Sequence, residues 1–157
     1  MIKEITSDRE KAVIAGQILR ALPEWFGIPQ AREEYIAGSA GKPFFAAVED
    51  GTPVGFLYLK ETGSATAELA VIGVKKDCHR RGIGRALFAA AKDCAVAHGY
   101  EFLQVKTVQM GRYPQYDDTN RFYLAMGFRE FEVFPTLWDE WNPCQIYVMD
   151  LEHTGRD

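Results

Sequence analysis

From Val74 to Leu87 the chain reads Val-Lys-Lys-Asp-Cys-His-Arg-Arg-Gly-Ile-Gly-Arg-Ala-Leu, directly after an apolar run that begins at Leu69. The pattern is a strand, a basic turn spaced by glycines, and a helix opening out of the turn. The first amides of a helix have no carbonyl partners and point outward, and the helix dipole adds partial positive charge there. Gly82 and Gly84 let a ligand approach the backbone without a Cβ in the way. Arg80, Arg81 and Arg85 add fixed positive charge. Together these features suit a diphosphate. The bland alternative is a tight turn beside a solvated basic face, the default for charge runs.

Two familiar phosphate loops do not fit. A Walker loop needs Gly-Lys-Ser/Thr, whereas Gly84 is followed by Arg85 and Ala86. A dinucleotide fingerprint needs a third glycine where Leu87 stands, and it comes early in a parallel unit rather than mid-chain.

The string His79-Arg80-Arg81-Gly82-Ile83-Gly84 after Val74-Lys75-Lys76 resembles the phosphate-binding signature of the GNAT superfamily of N-acetyltransferases, Gln/Arg-x-x-Gly-x-Gly/Ala after a strand ending in Val-x-Pro. His79 replaces the usual Gln or Arg, and Lys76 the usual Pro. Phe122-Tyr123-Leu124-Ala125-Met126-Gly127-Phe128 is similar to a second signature, Phe/Leu-Tyr-x-x-x-Gly-Phe. The resemblance runs from Pro43 to about Leu151. It implies an acetyltransferase that uses acetyl-CoA as cosubstrate without a metal. The coenzyme pyrophosphate would lie on the amides of His79, Arg80, Arg81, Gly82, Ile83, Gly84 and Arg85. Strand-like hydrogen bonds near Ile72, Gly73 and Val74 would hold the rest.

Moving an acetyl group from a thioester to an amine poses three problems. A lysine-like amine of pKa about 10.4 is neutral in only about one molecule in 2,500 at pH 7, a handicap of roughly 4.6 kcal/mol. The developing oxyanion needs a donor, worth roughly 3 kcal/mol when well placed. The leaving thiolate needs a proton. Glu68, six residues before Val74, stands where histone-type members of the superfamily carry a glutamate base, often working through water. Its alternative is a solvated carboxylate near a strand end. Tyr123 matches the family tyrosine that protonates the thiolate. Its alternative is a core aromatic, because Phe122, Tyr123 and Met126 sit at helical spacing. The oxyanion donor would be a backbone N–H around Ile72 to Val74. Many family members carry an asparagine seven residues before the tyrosine; Tyr116 holds that place here. Asn120 is the neighbouring cofactor-binding candidate, a poor substitute at three residues. No cysteine is placed for an acyl-enzyme, so attack is direct, through a ternary complex.

Substrate candidates are Trp25, beside Glu24, together with Trp138 and Glu140. Tryptophan beside acid can receive an amine by cation–π and ion-pair contact; the commoner role is to plug a core. The acceptor is a small-molecule or protein amine. Alternatives are a protein N-terminal or lysine acetyltransferase, and a non-catalytic acyl-CoA sensor or interaction module.

Several elements must position these residues. Met1 to Thr6 alternates as a short strand. Ser7 or Asp8 caps a helix over about Arg9 to Ala21, which Pro23 ends. A second helix runs from Pro29 to about Ala37. Strands follow at Phe44–Glu49, Val54–Glu61 and Ala67–Val74, the first two joined at Asp50-Gly51. The central helix spans Ile83 to His98, with Ile83, Leu87, Ala90, Ala91 and Cys94 as its buried stripe and Gly99 as its stop. Phe102–Thr107 is a strand, Gln109–Asp117 a loop, and Asp118 or Thr119 caps a short helix ending at Gly127. Phe128–Phe134 and Gln145–Leu151 are final strands, joined by a ten-residue loop, Pro135 to Cys144, long enough to suggest function. A tail follows at His153–Asp157. This order predicts an α+β fold in a single domain over residues 1–157. The resemblance makes it GNAT-like: a mixed, mostly antiparallel sheet flanked by helices, with a splayed strand pair around the central helix binding acyl-CoA.

The 157 residues suffice for one core. With 18 basic and 22 acidic residues the net charge is −4, which argues against general nucleic-acid affinity and suits a cationic substrate better. The three cysteines show neither disulfide-framework nor metal-ligand spacing and are expected as reduced thiols of a cytoplasmic protein. No apolar run approaches a signal peptide or the roughly 20 residues of a membrane span, so no membrane partner is expected. Family members often dimerise, and the resemblance extends the homodimer to this chain as an expectation.

Overall fold

A computed structural model describes residues 1–151; the tail at 153–157 lies outside them. The element order is β1 (Ile2–Ile5), α1 (Asp8–Arg20), α2 (Pro29–Gly38), β2 (Phe44–Glu49), β3 (Thr52–Gly63), β4 (Thr66–Val74), α3 (Ile83–Ala97), β5 (Phe102–Val108), α4 (Pro114–Met126), β6 (Arg129–Asp139) and β7 (Asn142–Asp150). A short 3-10 turn, Lys76–Cys78, lies between β4 and α3. The strands form one mixed seven-stranded sheet in the order β1-β2-β3-β4-β5-β7-β6. The expected α+β sheet flanked by helices is what folds.

The chain divides into two compact units, Met1–Lys60 with Leu69–His98, and Glu61–Glu68 with the chain from Gly99 onward. In the first, β1 pairs antiparallel with β2, and β2 with β3. Phe44 faces Tyr58 and Ala46 faces Phe56 across the β2–β3 ladder. The rings of Phe44 and Phe56 stack at 5.3 Å. Ile14, Ala15, Ile18 and Leu19 of α1 complete this core; each large apolar side chain so enclosed stabilises the fold by about 1.5–3 kcal/mol. The Ser7 side chain accepts the Glu10 amide at 3.2 Å and starts α1. The Tyr58 hydroxyl donates to the Tyr35 carbonyl at 2.7 Å and fastens α2 to β3. On α3, Ile83, Leu87, Phe88, Ala91 and Ala95 are buried. Phe88 and Ala95 thus replace Ala90 and Cys94 of the expected stripe.

In the second unit, β4 pairs in parallel with β5 over Thr66–Glu68 and Phe102–Gln104. β7 lies between β5 and β6, antiparallel to both. Having a neighbour on each edge, it is buried over most of its length, with Tyr147 and Met149 at 2% and 6% exposure. Two expectations are corrected here. The loop Gln109–Asp117 is shorter, because α4 starts at Pro114 rather than at a cap on Asp118 or Thr119. Asp118 instead pairs with Arg121 at 3.0 Å, and the Thr119 hydroxyl donates to the Gln115 carbonyl at 3.1 Å. The ten-residue loop Pro135–Cys144 is a hairpin extension: β6 runs to Asp139 and β7 begins at Asn142. Pro135 does not break β6, because β6 is the last strand of the sheet and an edge tolerates a missing N–H.

Gly55 of β3 sits against the end of β4. A Cβ there would lie 3.1 Å from the Gly73 carbonyl and 3.3 Å from Ile83 Cγ2. The carbonyl belongs to a packed strand and yields little. Gly55→Ala is expected to lower unfolding free energy by about 1–3 kcal/mol, read as a lower denaturant midpoint at unchanged m-value.

Candidate functional site

Two groups of residues carry the candidate chemistry, one in each unit.

In the first unit, the Lys75 amide donates to the Val54 carbonyl at 2.9 Å and fixes the end of β4. The Cys78 amide donates to Lys75 at 2.9 Å and the His79 amide to Lys76 at 3.2 Å. After that the pattern changes. Arg80 takes φ +65° and Gly82 φ +80°, both left-handed. The next amide with a carbonyl partner is Ala86, donating to Gly82 at 3.0 Å. Among the described residues, the amides of Arg80, Arg81, Gly82, Ile83, Gly84 and Arg85 meet no carbonyl and no side-chain acceptor. Left-handed residues in such a turn aim successive N–H groups into a common hollow, an arrangement that binds anions. A left-handed arginine costs about 1–2 kcal/mol, strain of the kind that clusters at ligand sites. Gly82 avoids this cost, and the space beyond its Cα is open.

The side chains divide. Arg81 Nη2 pairs with Glu49 at 2.8 Å, and its Nη1 donates to Cys78 Sγ at 3.6 Å. Arg80 and Arg85 are exposed and have no ion-pair partner among the described residues. His79 differs from the expectation that its amide joins the anion cradle, since Lys76 takes that amide. Its imidazole Nε2 donates to the Val74 carbonyl at 2.7 Å, and its ring meets Trp25 edge-on at 5.7 Å. Lys76 pairs with Glu24. Trp25 is thus placed on the flank of the turn. Ile72 is half-buried, and Gly73 packs its Cα on Ile18 and Leu22.

In the second unit, Glu68 is buried at 6% exposure. Its Oε1 accepts from Gln104 Nε2 at 3.1 Å and pairs with Lys106 Nζ at 3.2 Å. Its Oε2 takes no hydrogen bond from any described residue. Tyr123 is 4% exposed, with Phe128 and Tyr147 rings at 5.8 and 6.2 Å. Its hydroxyl has no hydrogen-bond partner among the described residues. Burial, then the charge of Glu68, then Tyr116 push its pKa well above the ordinary phenol value. Tyr116, Asn120 and Tyr123 share one face of α4, at i, i+4 and i+7. Asn120 is fully enclosed: its Nδ2 donates to Val108 and Tyr116 carbonyls at 2.9 and 2.7 Å, and its Oδ1 accepts from Tyr147 at 2.6 Å. Both its hydrogens are used inside the protein, which makes Asn120 a strut rather than the expected cofactor contact.

Trp138 and Glu140 lie at the β6–β7 tip, exposed, Trp138 at 44%. The Asp139 carboxylate accepts from the Trp141 and Asn142 amides at 2.8 and 2.9 Å and sets the tip. The Asn142 side chain, with those amides, holds Asp139 below the usual carboxylate range. Trp141 of the same candidate loop is 69% exposed. Gln104 and Lys106 were not singled out from the sequence. Their signal was two polar residues at period two in the apolar strand Phe102–Val108. No group of three or more His, Cys, Asp or Glu could hold a metal among the described residues. All three cysteines are free.

The acetyltransferase (GNAT) domain family matches residues 40–130, and the chain belongs to it. No curated protein sequence matches significantly. Among solved structures, a GNAT-family protein from Desulfovibrio desulfuricans is similar with TM-score 0.81 and 20% identity, over 96% of this chain and 98% of that one. An aminoglycoside 6'-N-acetyltransferase complexed with coenzyme A gives TM-score 0.75 and 18% identity, over 98% of each chain. The yncA protein of Salmonella typhimurium, with its cofactor acetyl-CoA, gives 0.73 and 18%, over 100% and 97%.

Burial of the Tyr123 phenol makes stability depend on pH. An unfolded chain releases phenol protons near pH 10, whereas the folded protein keeps this one. Above about pH 10 the native state therefore binds more protons, and stability falls as pH rises. Between pH 9 and 11 the unfolding midpoint of the wild type should fall more steeply than that of Tyr123→Phe. Parallel curves would contradict the assigned burial.

Proposed function

We propose that the chain is an acetyl-CoA-dependent N-acetyltransferase that moves the acetyl group directly to a primary amine. The observation that carries this reading is the run of open amides from Arg80 to Arg85, with the unpaired cations Arg80 and Arg85 beside it. That arrangement suits a diphosphate. Two structures of similar fold were solved with coenzyme A and with acetyl-CoA, which supports the same ligand. The family match at 40–130 takes in the turn, Glu68 and Tyr123, so 1–157 is read as a single GNAT-type domain. The opening of the strand pair around α3 belongs to the same reading.

Acetyl-CoA supplies the acyl group and a thiolate that leaves it. Arg80 and Arg85, with the six amides, hold the pyrophosphate. Backbone groups of Ile72, Gly73 and Val74 hold the arm; the Val74 carbonyl already accepts from His79, which leaves it one lone pair. Glu68 Oε2 takes a proton from the amine, directly or through water. The amine nitrogen bonds to the acyl carbon, the carbon–sulfur bond breaks, and the departing sulfur takes the Tyr123 proton; proton exchange with water then returns Glu68 to a carboxylate and Tyr123 to a phenol. Burial keeps that phenol protonated at working pH. Trp138 and Glu140 meet the acceptor amine.

The test is calorimetry with acetyl-CoA, followed by thiol release against a panel of a polyamine, an aminoglycoside and a peptide with a free N-terminus. The wild type should bind acetyl-CoA and release thiol with at least one amine. Arg80→Ala with Arg85→Ala should weaken binding. Glu68→Gln and Tyr123→Phe should each lower kcat by about 100- to 10,000-fold at unchanged coenzyme affinity. Absence of binding heat would sink the reading. Binding without thiol release on any amine would favour a non-catalytic acyl-CoA sensor.

A further inference from the structure

Glu68 is held by two donors that converge on one of its oxygens. Gln104 Nε2 reaches Oε1 at 3.1 Å and Lys106 Nζ reaches the same Oε1 at 3.2 Å. Gln104 stands directly opposite Glu68 in the parallel β4–β5 register. Lys106 is two residues further along β5, on the same face. Gln104 is braced in turn against the Thr62 hydroxyl at 3.4 Å. The carboxylate is thus oriented rather than merely neutralised, with one oxygen clamped and Oε2 unengaged. Oε2 is not among the buried atoms left without a partner, so it stays open to water or substrate while Oε1 is held.

We propose that Lys106 is a positioning residue: with Gln104 it clamps Oε1 of Glu68 so that Oε2 faces the proton to be removed. This rests on the reading of Glu68 as the base. Lys106 is itself only partly exposed, its side chain at 29%. The other ionisable groups facing the pair are Tyr123 from α4 and Cys144 from β7. Neither is a cation, so Lys106 has no substitute among them. A Lys106 ammonium bound to Glu68 also makes the base a net-neutral pair. The site then holds its acceptor amine by groups other than Glu68, which keeps Oε2 open for proton transfer.

The test is a double-mutant cycle on the full chain. Turnover is read by thiol release with acetyl-CoA and the panel amine that the wild type turns over best, and acetyl-CoA affinity by calorimetry. Lys106→Met should lower kcat by about 10- to 100-fold, the scale of a misplaced catalytic group, at unchanged acetyl-CoA affinity. Lys106→Arg, which keeps a donor and a charge, should recover most of that loss. The variant carrying both Glu68→Gln and Lys106→Met should be no slower than Glu68→Gln alone, since the lysine acts through the glutamate. The double variant also removes the buried charge that Lys106→Met strands, so it reports even where the single variant folds poorly. Multiplying losses in the double variant, or a Lys106→Met enzyme with wild-type kcat, would overturn the positioning role while leaving the acetyltransferase intact. A Glu68→Gln enzyme with full turnover removes the base, and this inference with it. No thiol release from the wild type removes the acetyltransferase reading and takes both along.

Discussion

A helix cannot begin without leaving its first amide groups unpaired, and the use made of those groups at α3 governs the candidate site. The other described helices reduce the deficit locally. Ser7 accepts an amide at the start of α1. Pro29 and Pro114 open α2 and α4 and so remove one donor at each. α3 has neither device. Its cap is Gly82, without a side chain to accept anything. Its orphan donors run back through Arg81 to Arg80 because the preceding turn goes left-handed. The deficit is enlarged where a neutral cap would have been simple to supply. Positive partial charge from the helix start and two unpaired guanidinium groups accumulate at one end of β4. An anion there would take the place of the water that the amides of this largely exposed turn otherwise bind, which is why the whole β4–α3 connection reads as a binding element.

The parts of this arrangement visible in the sequence were those written in backbone-controlling residues. Gly82 and Gly99 bracket α3, Asp50-Gly51 turns β2 into β3, and the Pro29 helix starts at its proline. Such residues act first through their own φ. The misplaced elements depended on context that residue type alone does not fix, some of it a turn away and some far along the chain. Pro135 looked like the end of a strand; the edge position of β6 makes it harmless. Asp118 and Thr119 looked like caps, but Arg121 and the Gln115 carbonyl claim them. Asn120 was judged by its spacing from Tyr123. Its role follows from Tyr147, which lies 27 residues away and reaches it only because β7 is folded beside β5. The same holds for Lys106, whose importance rests on a carboxylate 38 positions earlier in the chain.

Lys76 and His79, the two departures from the family signature, touch the same segment, between α1 and α2. Lys76 pairs with Glu24, and His79 lies against Trp25. A proline in place of Lys76 could make no such ion pair. This chain therefore ties its α1–α2 connection to the strand–helix turn by side chains that the signature does not require. The tie is light, since water screens an ion pair this exposed. His79 adds a bond to the Val74 carbonyl at 2.7 Å. The turn and the connection thus share residues without being locked together, and Trp25 is accounted for by the turn before any acceptor is invoked.

The buried pair in the second unit has a coupling of its own. The negative charge of Glu68 is one of the causes that hold the Tyr123 phenol protonated. Under the proposed chemistry Glu68 gains a proton as the amine attacks. That step cancels the charge, and with it a part of the reason for Tyr123 to keep its proton. The phenol becomes a better donor at the stage when the thiolate leaves, without either residue moving. Burial works in the same direction: it disfavours every isolated charge in the unit, the nascent thiolate included, so proton release by Tyr123 replaces one buried anion with another instead of creating a second. A tyrosine whose acidity is suppressed at rest is therefore compatible with the acid role. What it requires is a neighbour whose charge changes during the reaction, and Glu68 is the carboxylate that lies close enough to supply it.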